Sequence, residues 1–239
     1  MTANRKTTIA VGALFLAATA TYIVGSGLIA PALKAPDKLV SINNTQLRIG
    51  VFLEFIDAAA VVAIGVLLLP ILRQFSEPMA FGYAASRVIE SVLIMVSGLG
   101  ALLLVPLSEQ YAQAAGSDPS QFRGVEQLLT DSYSLAFQMA MVALGAGSLA
   151  LCYVLYAGKL VPRALAVLGF VGYVSLFASA WLTLFGSDMG LTLFAPGALF
   201  EIVFPLWLLV KGLDESTLTK RAEQVEGSAS AGRMIAVIT

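Results

Sequence analysis

Two apolar stretches separated by a short polar turn decide the fold: RIGVFLEFIDAAAVVAIGVLLL at residues 48–69 and YAASRVIESVLIMVSGLG at residues 83–100. Each stretch carries two charged residues at positions i and i+3, Glu54 with Asp57 and Arg87 with Glu90. Residues at this spacing share one face of an α-helix. An unpaired charge at the centre of a bilayer costs roughly 3 kcal/mol on insertion scales. We therefore predict that these four side chains meet inside a helical membrane protein.

The composition indicates that lipid, rather than water, is the solvent of this chain. Of its 239 residues, 58% are hydrophobic and only 12% are charged, and the mean hydropathy is +0.86. A soluble domain has about 25% charged residues. The net charge of -1 gives no reason to expect nucleic acid as a partner. The partner that the composition predicts is the lipid bilayer.

The residue inventory excludes most catalytic sites. Histidine is absent, which removes zinc–histidine sites and Ser-His triads, and the single cysteine, Cys152, cannot form an internal disulfide. Intramembrane aspartic proteases need two deep aspartates, whereas Asp57 is the only one here. Glu54 and Glu201 could do acid–base work in principle, but no nucleophile or phosphate-binding loop accompanies them. We predict no catalytic residues, no metal site and no cofactor, and this inventory favours a protein that is not an enzyme.

Hydropathy predicts an all-α polytopic membrane protein with six transmembrane helices. The first apolar run is longer than the core of a signal peptide, so we interpret it as a retained span. The predicted spans are Ile9–Leu33, Leu47–Leu72, Met79–Leu107, Tyr133–Tyr156, Ala164–Leu184 and Leu193–Leu213. Residues 1–213 then form one transmembrane domain, and the mixed-charge residues 214–239 are predicted to be a flexible cytoplasmic tail.

The distribution of lysine and arginine outside the spans predicts the orientation. With the N-terminus inside, nine of these residues lie on one side of the membrane and four on the other. Cytoplasmic loops carry the excess of positive charge. Both termini are therefore predicted to be cytoplasmic, with the protein in the cell membrane, as a multi-pass protein of the bacterial inner membrane.

The buried charges define a candidate binding layer. Estimated from a rise of about 1.5 Å per residue, five ionisable residues lie near the middle of the bilayer: Glu54, Asp57, Arg87, Glu90 and Glu201. If they converge, four acids face one arginine, so the acids that are not paired with the guanidinium must be protonated or matched by a bound cation. The competing interpretation is a structural clamp, because a buried ion pair can fix the order of helices without binding anything.

Several patterns along the chain resemble one family of bacterial membrane proteins. They are an aspartate in the second span with a proline at its inner end, an early arginine in the third span, a basic turn before the fifth, and a P…E…PLWLLxKG sixth span. The matching positions are Asp57, Pro70, Arg87, residues 158–169, Pro196, Glu201, Trp207, Lys211 and Gly212. The chain resembles the DUF4386 family of six-helix proteins from its first span to Gly212. This resemblance implies the fold and the topology, and it implies no mechanism because the family has no assigned activity.

Two classes of function remain open from the sequence. The first is a binding or transport module that handles a proton, a cation or a small amphiphile at the charged layer. The second is a structural or accessory subunit, with a membrane-protein partner, in which the charges only lock the helix packing.

Overall fold

The structure is a computed structural model that describes residues 3–34, 39, 42–114, 120–187, 190–221 and 223–224. The long helices are α1 (Ala3–Lys34), α2 (Asn44–Leu72), α3 (Glu77–Gln113), α4 (Ser120–Ala157), α5 (Arg163–Leu184) and α6 (Ala195–Val210). A short 3₁₀ helix, Gly190–Phe194, leads into α6, and no strand occurs among the described residues. The predicted all-α class is confirmed.

Local sequence explains several helix ends. The side chain of Asn43 accepts a hydrogen bond from the Gln46 amide at 3.1 Å, which caps the start of α2. Pro78 lies in the first turn of α3, where a missing N–H costs nothing. Beyond α6, Gly212 adopts a left-handed φ of 80°, a conformation that glycine reaches without strain.

The six long helices are arranged as a closed ring. Each helix packs mainly against the helices that precede and follow it in the chain, and α6 returns to pack against α1. Short connections make sequential helices antiparallel neighbours. We call the end that holds the start of α1 and the end of α6 the basal end, and the other the distal end.

The outer surface of the ring is apolar, and all six helices are long and apolar enough to cross a membrane. Large hydrophobic side chains such as Phe52, Val66 and Leu99 are exposed there. In water such a surface would be strongly unfavourable, whereas in hydrocarbon it is the expected exterior. The prediction of six transmembrane helices is therefore confirmed by the length and composition of the helices.

The helices extend beyond the predicted spans where the sequence becomes polar. The sequence predicts that the fourth span starts at Tyr133, whereas α4 begins at Ser120 and continues without a break. The amphipathic segment before Tyr133 thus extends the spanning helix. With 38 residues, α4 is about 57 Å long, more than the roughly 30 Å of a hydrocarbon core.

Small residues allow the closest contact between neighbouring helices. A Cβ atom on Gly147 of α4 would overlap the side chain of Ser86 on α3. Gly172 of α5 lies directly against the backbone of Gly197 on α6, where an added Cβ would come within 2.7 Å of the Gly197 Cα. Small residues at such crossings let helix backbones approach each other in membranes.

Two hydrophobic clusters fill the interior of the ring. The larger includes Phe15, Leu68, Leu151 and Phe204, and it extends to the basal end. The smaller joins α1, α2 and α3 at the distal end through residues such as Leu47 and Leu104. The buried charged residues lie in the middle parts of α2 and α3, and buried serines lie on α3, α4 and α5.

The chain after α6 begins with a helical turn that packs on the bundle. Residues 215–221 are helical, and the Asp214 carboxylate accepts hydrogen bonds from the Ser216 hydroxyl at 2.6 Å and the Thr217 amide at 2.8 Å. These bonds hold the pKa of Asp214 below its usual range. Leu218 is buried in the larger cluster. Residues 225–239 of the predicted tail lie outside the described residues, so its flexibility stays a prediction.

Candidate functional site

Arg87 is the centre of the buried polar layer. It lies about 15 Å from the start of α3, and its side chain is only 3% exposed. Its Nη1 donates a hydrogen bond to Glu90 Oε2 at 2.8 Å, and its Nη2 donates to the Ser148 hydroxyl on α4 at 3.1 Å. The predicted charge pair at positions i and i+3 is therefore present. It forms because both residues face the interior of the ring from one side of α3.

The guanidinium of Arg87 is surrounded by the whole ring. It lies over the ring of Phe15 on α1, with 5.8 Å between the guanidinium carbon and the ring centroid. Gly65 on α2 leaves room for the aliphatic part of the Arg87 side chain, since a Cβ there would lie 3.1 Å from the Arg87 Cβ. Tyr173 on α5 and Glu201 on α6 lie close enough to interact with its charge. Together with Ser148, these contacts link Arg87 to every other helix of the bundle.

Glu54 lies on α2 and is paired with a tyrosine rather than with Arg87. It is 2% exposed, and it accepts a hydrogen bond from the Tyr133 hydroxyl on α4 at 2.7 Å. Gly98 on α3 faces this carboxylate, because a Cβ there would lie 3.9 Å from Glu54 Oε2. The short distance and the absence of a side chain at Gly98 bring α2, α3 and α4 together around this pair.

Glu201 on α6 also has a tyrosine partner. The Tyr173 hydroxyl on α5 donates to Glu201 Oε1 at 3.4 Å, and Tyr173 itself is fully buried. The ring of Tyr173 packs edge-on against Phe200, the neighbour of Glu201 in the chain. Although the charge of Glu201 acts on Arg87, the two side chains form no ion pair within the part of the chain that the structure covers.

Asp57 is the acid without a partner. Its residue is 6% exposed, and no hydrogen bond or ion pair joins it to any described residue. The charges of Glu54, Glu90, Glu201 and Arg87 are all near enough to act on it. Asp57 therefore lies among three other acids, while the nearest cation already has Glu90 as its partner.

The structure brings all five predicted residues into one region, but it pairs only two of them directly. Three tyrosines and one serine complete the layer and were absent from the predicted set: Tyr22, Tyr133, Tyr173 and Ser148. The charges of Glu54, Asp57 and Glu201 act on the hydroxyl of Tyr22 on α1. The sequence contains one indication of these additional residues, because the hydroxyl of a tyrosine inside an apolar span needs a hydrogen-bond partner.

Two further polar atoms near the centre lack partners. The Nε of Arg87 and the hydroxyl of Tyr83 are buried without a hydrogen bond among the described residues. The Arg87 guanidinium carbon lies 5.0 Å from the centroid of the Tyr83 ring, so the arginine is held by cation–π contact as well as by Glu90. Within the same described segments, no group of three acidic or cysteine side chains is arranged to hold a metal ion.

Comparison with known proteins identifies a family and no activity. A family model described as "Domain of unknown function (DUF4386)" matches residues 10–212. A search of curated proteins and a search of solved structures both found no match. The matched region includes nearly the whole of the six-helix bundle and every member of the buried layer.

Proposed function

The chain belongs to the DUF4386 family, and from the geometry of its buried layer we propose that it is a membrane binding or transport module whose occupant is a proton. The observation that supports this proposal is Asp57. A carboxylate in a hydrocarbon environment must be neutralised, and Asp57 forms neither an ion pair nor a hydrogen bond with any described residue. A proton taken up at Asp57 supplies that neutralisation.

The charge balance of the layer supports the same proposal. Four acids surround one arginine, and Arg87 is already matched by Glu90 at 2.8 Å. Glu54 and Glu201 each accept one hydrogen bond from a tyrosine hydroxyl, which stabilises a carboxyl group without cancelling its charge. With all four acids ionised, the layer would hold an excess of negative charge that a bilayer interior opposes.

A proton suits this layer better than a metal ion does. Hard cations take six or more oxygen ligands in most protein sites. No three of the described acids are arranged as ligands of a metal ion, and Glu54 and Glu201 each accept a hydrogen bond from a different tyrosine. A monovalent cation or a small amine-bearing amphiphile remains as the other occupant class, and the experiment below distinguishes it.

The proposal also assigns the protein to the cell membrane, with the basal end and both termini in the cytoplasm. The basis is the excess of lysine and arginine at the basal end. Loops with such an excess lie in the cytoplasm in most membrane proteins.

The test is proton movement in proteoliposomes that enclose a pH-sensitive dye. After a pH gradient is imposed across the liposome membrane, wild-type protein is expected to change the internal pH. Asp57→Asn is expected to abolish this change. Ser26→Ala, at a partly exposed position on α1 outside the charged layer, is the control. Unchanged flux in Asp57→Asn would contradict the proposal, and flux that requires an added cation or amine would assign the site to that occupant instead.

One observation favours the structural alternative, in which the layer only locks the helices. Arg87 contacts or interacts with residues on all five other helices, as a clamp would. The clamp predicts that variants of Arg87 lose the fold while Asp57→Asn changes neither proton movement nor stability. A partner protein retained during mild purification would further support this alternative.

A further inference from the structure

We propose that the basal end binds the phosphate-bearing headgroups of anionic lipids, at a basic patch formed by Lys159, Arg163 and Arg221 with the rings of Phe75 and Tyr156. The patch surrounds the turn between α4 and α5. It lies outside the buried layer and does not depend on proton binding there.

The charge of the basal end is the first observation. Within the described residues, this end carries eight lysines and arginines against four acids. The cations are Arg5, Lys6, Arg73, Lys159, Arg163, Lys211, Lys220 and Arg221, and the acids are Glu77, Asp214, Glu215 and Glu223. The described part of the distal end is balanced, with Lys34, Arg48 and Arg123 against Glu109, Glu126 and Asp131. The two ends therefore present different electrostatic surfaces to a membrane.

Two arginines of the patch are stacked on aromatic rings. The guanidinium carbon of Arg221 lies 5.4 Å from the centroid of Phe75, and that of Arg163 lies 5.6 Å from the centroid of Tyr156. Gly158 packs on Phe75, since an added Cβ would lie 2.8 Å from the ring. The two stacked pairs are therefore joined through the end of α4. Stacking fixes the planes of the guanidinium groups and leaves their N–H donors free to face an anion.

No described acid forms an ion pair with the cations of this patch. Arg163 and Arg221 form no ion pair with any described acid, in contrast to Arg73, which pairs with Glu77 at 2.7 Å. Asp214 is tied to the same turn, because its amide donates to the Leu160 carbonyl at 3.0 Å. Its carboxylate, however, is occupied in capping the helical turn at residues 215–221. The patch therefore keeps net positive charge.

The backbone at Lys159 is an independent observation. Its φ of 51° lies in the left-handed region, and Lys159 is the only described residue other than glycine with a positive φ. The position ends α4, where glycine is the usual residue because it has no Cβ. A lysine at this position costs backbone strain, and strained residues are characteristic of functional sites. Its ammonium group extends the charge of Arg163 and Arg221.

The position of the patch specifies a lipid headgroup as its ligand. Tyr156 is exposed on the outer surface of the bundle, at the end of a spanning helix, where aromatic rings lie at the membrane interface. A guanidinium stacked on such a ring lies at the depth of the lipid phosphates. Arginine forms bidentate hydrogen bonds with phosphate, and basic residues at the membrane surface attract anionic lipids.

The experiment measures lipid binding to the full chain in nanodiscs of phosphatidylcholine, with phosphatidylglycerol added in increasing fraction. Each surface cation contributes roughly a fivefold factor in affinity. The triple variant Lys159→Gln, Arg163→Gln, Arg221→Gln should therefore bind phosphatidylglycerol roughly a hundredfold more weakly than wild type. Arg123→Gln at the distal end is the control and should bind like wild type.

A second variant separates lipid binding from folding. Lys159→Gly removes the charge and relieves the left-handed strain, so it should bind phosphatidylglycerol roughly fivefold more weakly while it unfolds at a higher temperature. Equal affinity for the two lipids, or an equal loss in Arg123→Gln, would overturn the proposal. An effect reproduced by inorganic phosphate alone would assign the site to a free anion.

Discussion

Two charge pairs of α3 and its preceding turn differ almost only in burial, and this difference yields a quantitative prediction. Arg87 pairs with Glu90 at 2.8 Å, with side chains 3% and 4% exposed. Arg73 pairs with Glu77 at 2.7 Å, with side chains 51% and 59% exposed. Removing one partner of a buried pair costs 3–5 kcal/mol, whereas exposed pairs contribute about 0.2–1 kcal/mol. The same substitution should therefore have very different effects at the two sites.

We expect Glu90→Gln to lower the free energy of unfolding by about 3 kcal/mol, at the lower end of that range, because glutamine keeps one acceptor for the guanidinium. Glu77→Gln should lower it by less than about 1 kcal/mol. The measurement is equilibrium unfolding in mixed micelles with an increasing mole fraction of dodecyl sulfate, followed by circular dichroism. Equal losses for the two variants would refute the inference that Arg87 is buried and held by Glu90.

Two further predictions concern packing and orientation. Gly147→Leu should unfold the bundle or strongly reduce the yield of protein, because an added Cβ would overlap Ser86. Gly27→Leu should be tolerated, because nothing lies within 4 Å of the Cβ position of Gly27. Thermal unfolding of both variants tests this, and equal stability would contradict the close contact of α3 with α4. In a background without the native cysteine, Lys211→Cys should be protected from a membrane-impermeant maleimide in intact cells and Arg123→Cys should react; the reverse labelling would show that the basal end is outside.

Much of the fold was predictable because the hydrocarbon thickness of a bilayer sets the length of an apolar span. The six spans and the α2–α3 turn follow from hydropathy, and the pairing of Arg87 with Glu90 follows from their spacing on one helix. The helix ends were harder to predict. In α4 the polar residues before Tyr133 continue the helix, since helix propensity does not change at the membrane boundary.

The partners of the buried acids were less predictable. In a membrane helix both the lipid-facing side and the core-facing side are apolar, so the sequence has no amphipathic stripe that shows which residues turn inward. Ser148 contacts Arg87 across a sequence separation of 61 residues, and Tyr133 contacts Glu54 across 79. Such contacts depend on how α4 is rotated in the ring. The lack of a described partner for Asp57 is likewise a result of the tertiary arrangement, and no local pattern predicts it.

The proton proposed at Asp57 can be observed by infrared difference spectroscopy of the purified protein between high and low pH. We expect a carbonyl band of a protonated carboxylic acid that is present in wild type, missing in Asp57→Asn, and retained in Glu77→Gln, whose side chain is exposed. A difference spectrum that is identical in wild type and Asp57→Asn would contradict the assignment of the proton to this residue, and the buried layer would then be a clamp around Arg87.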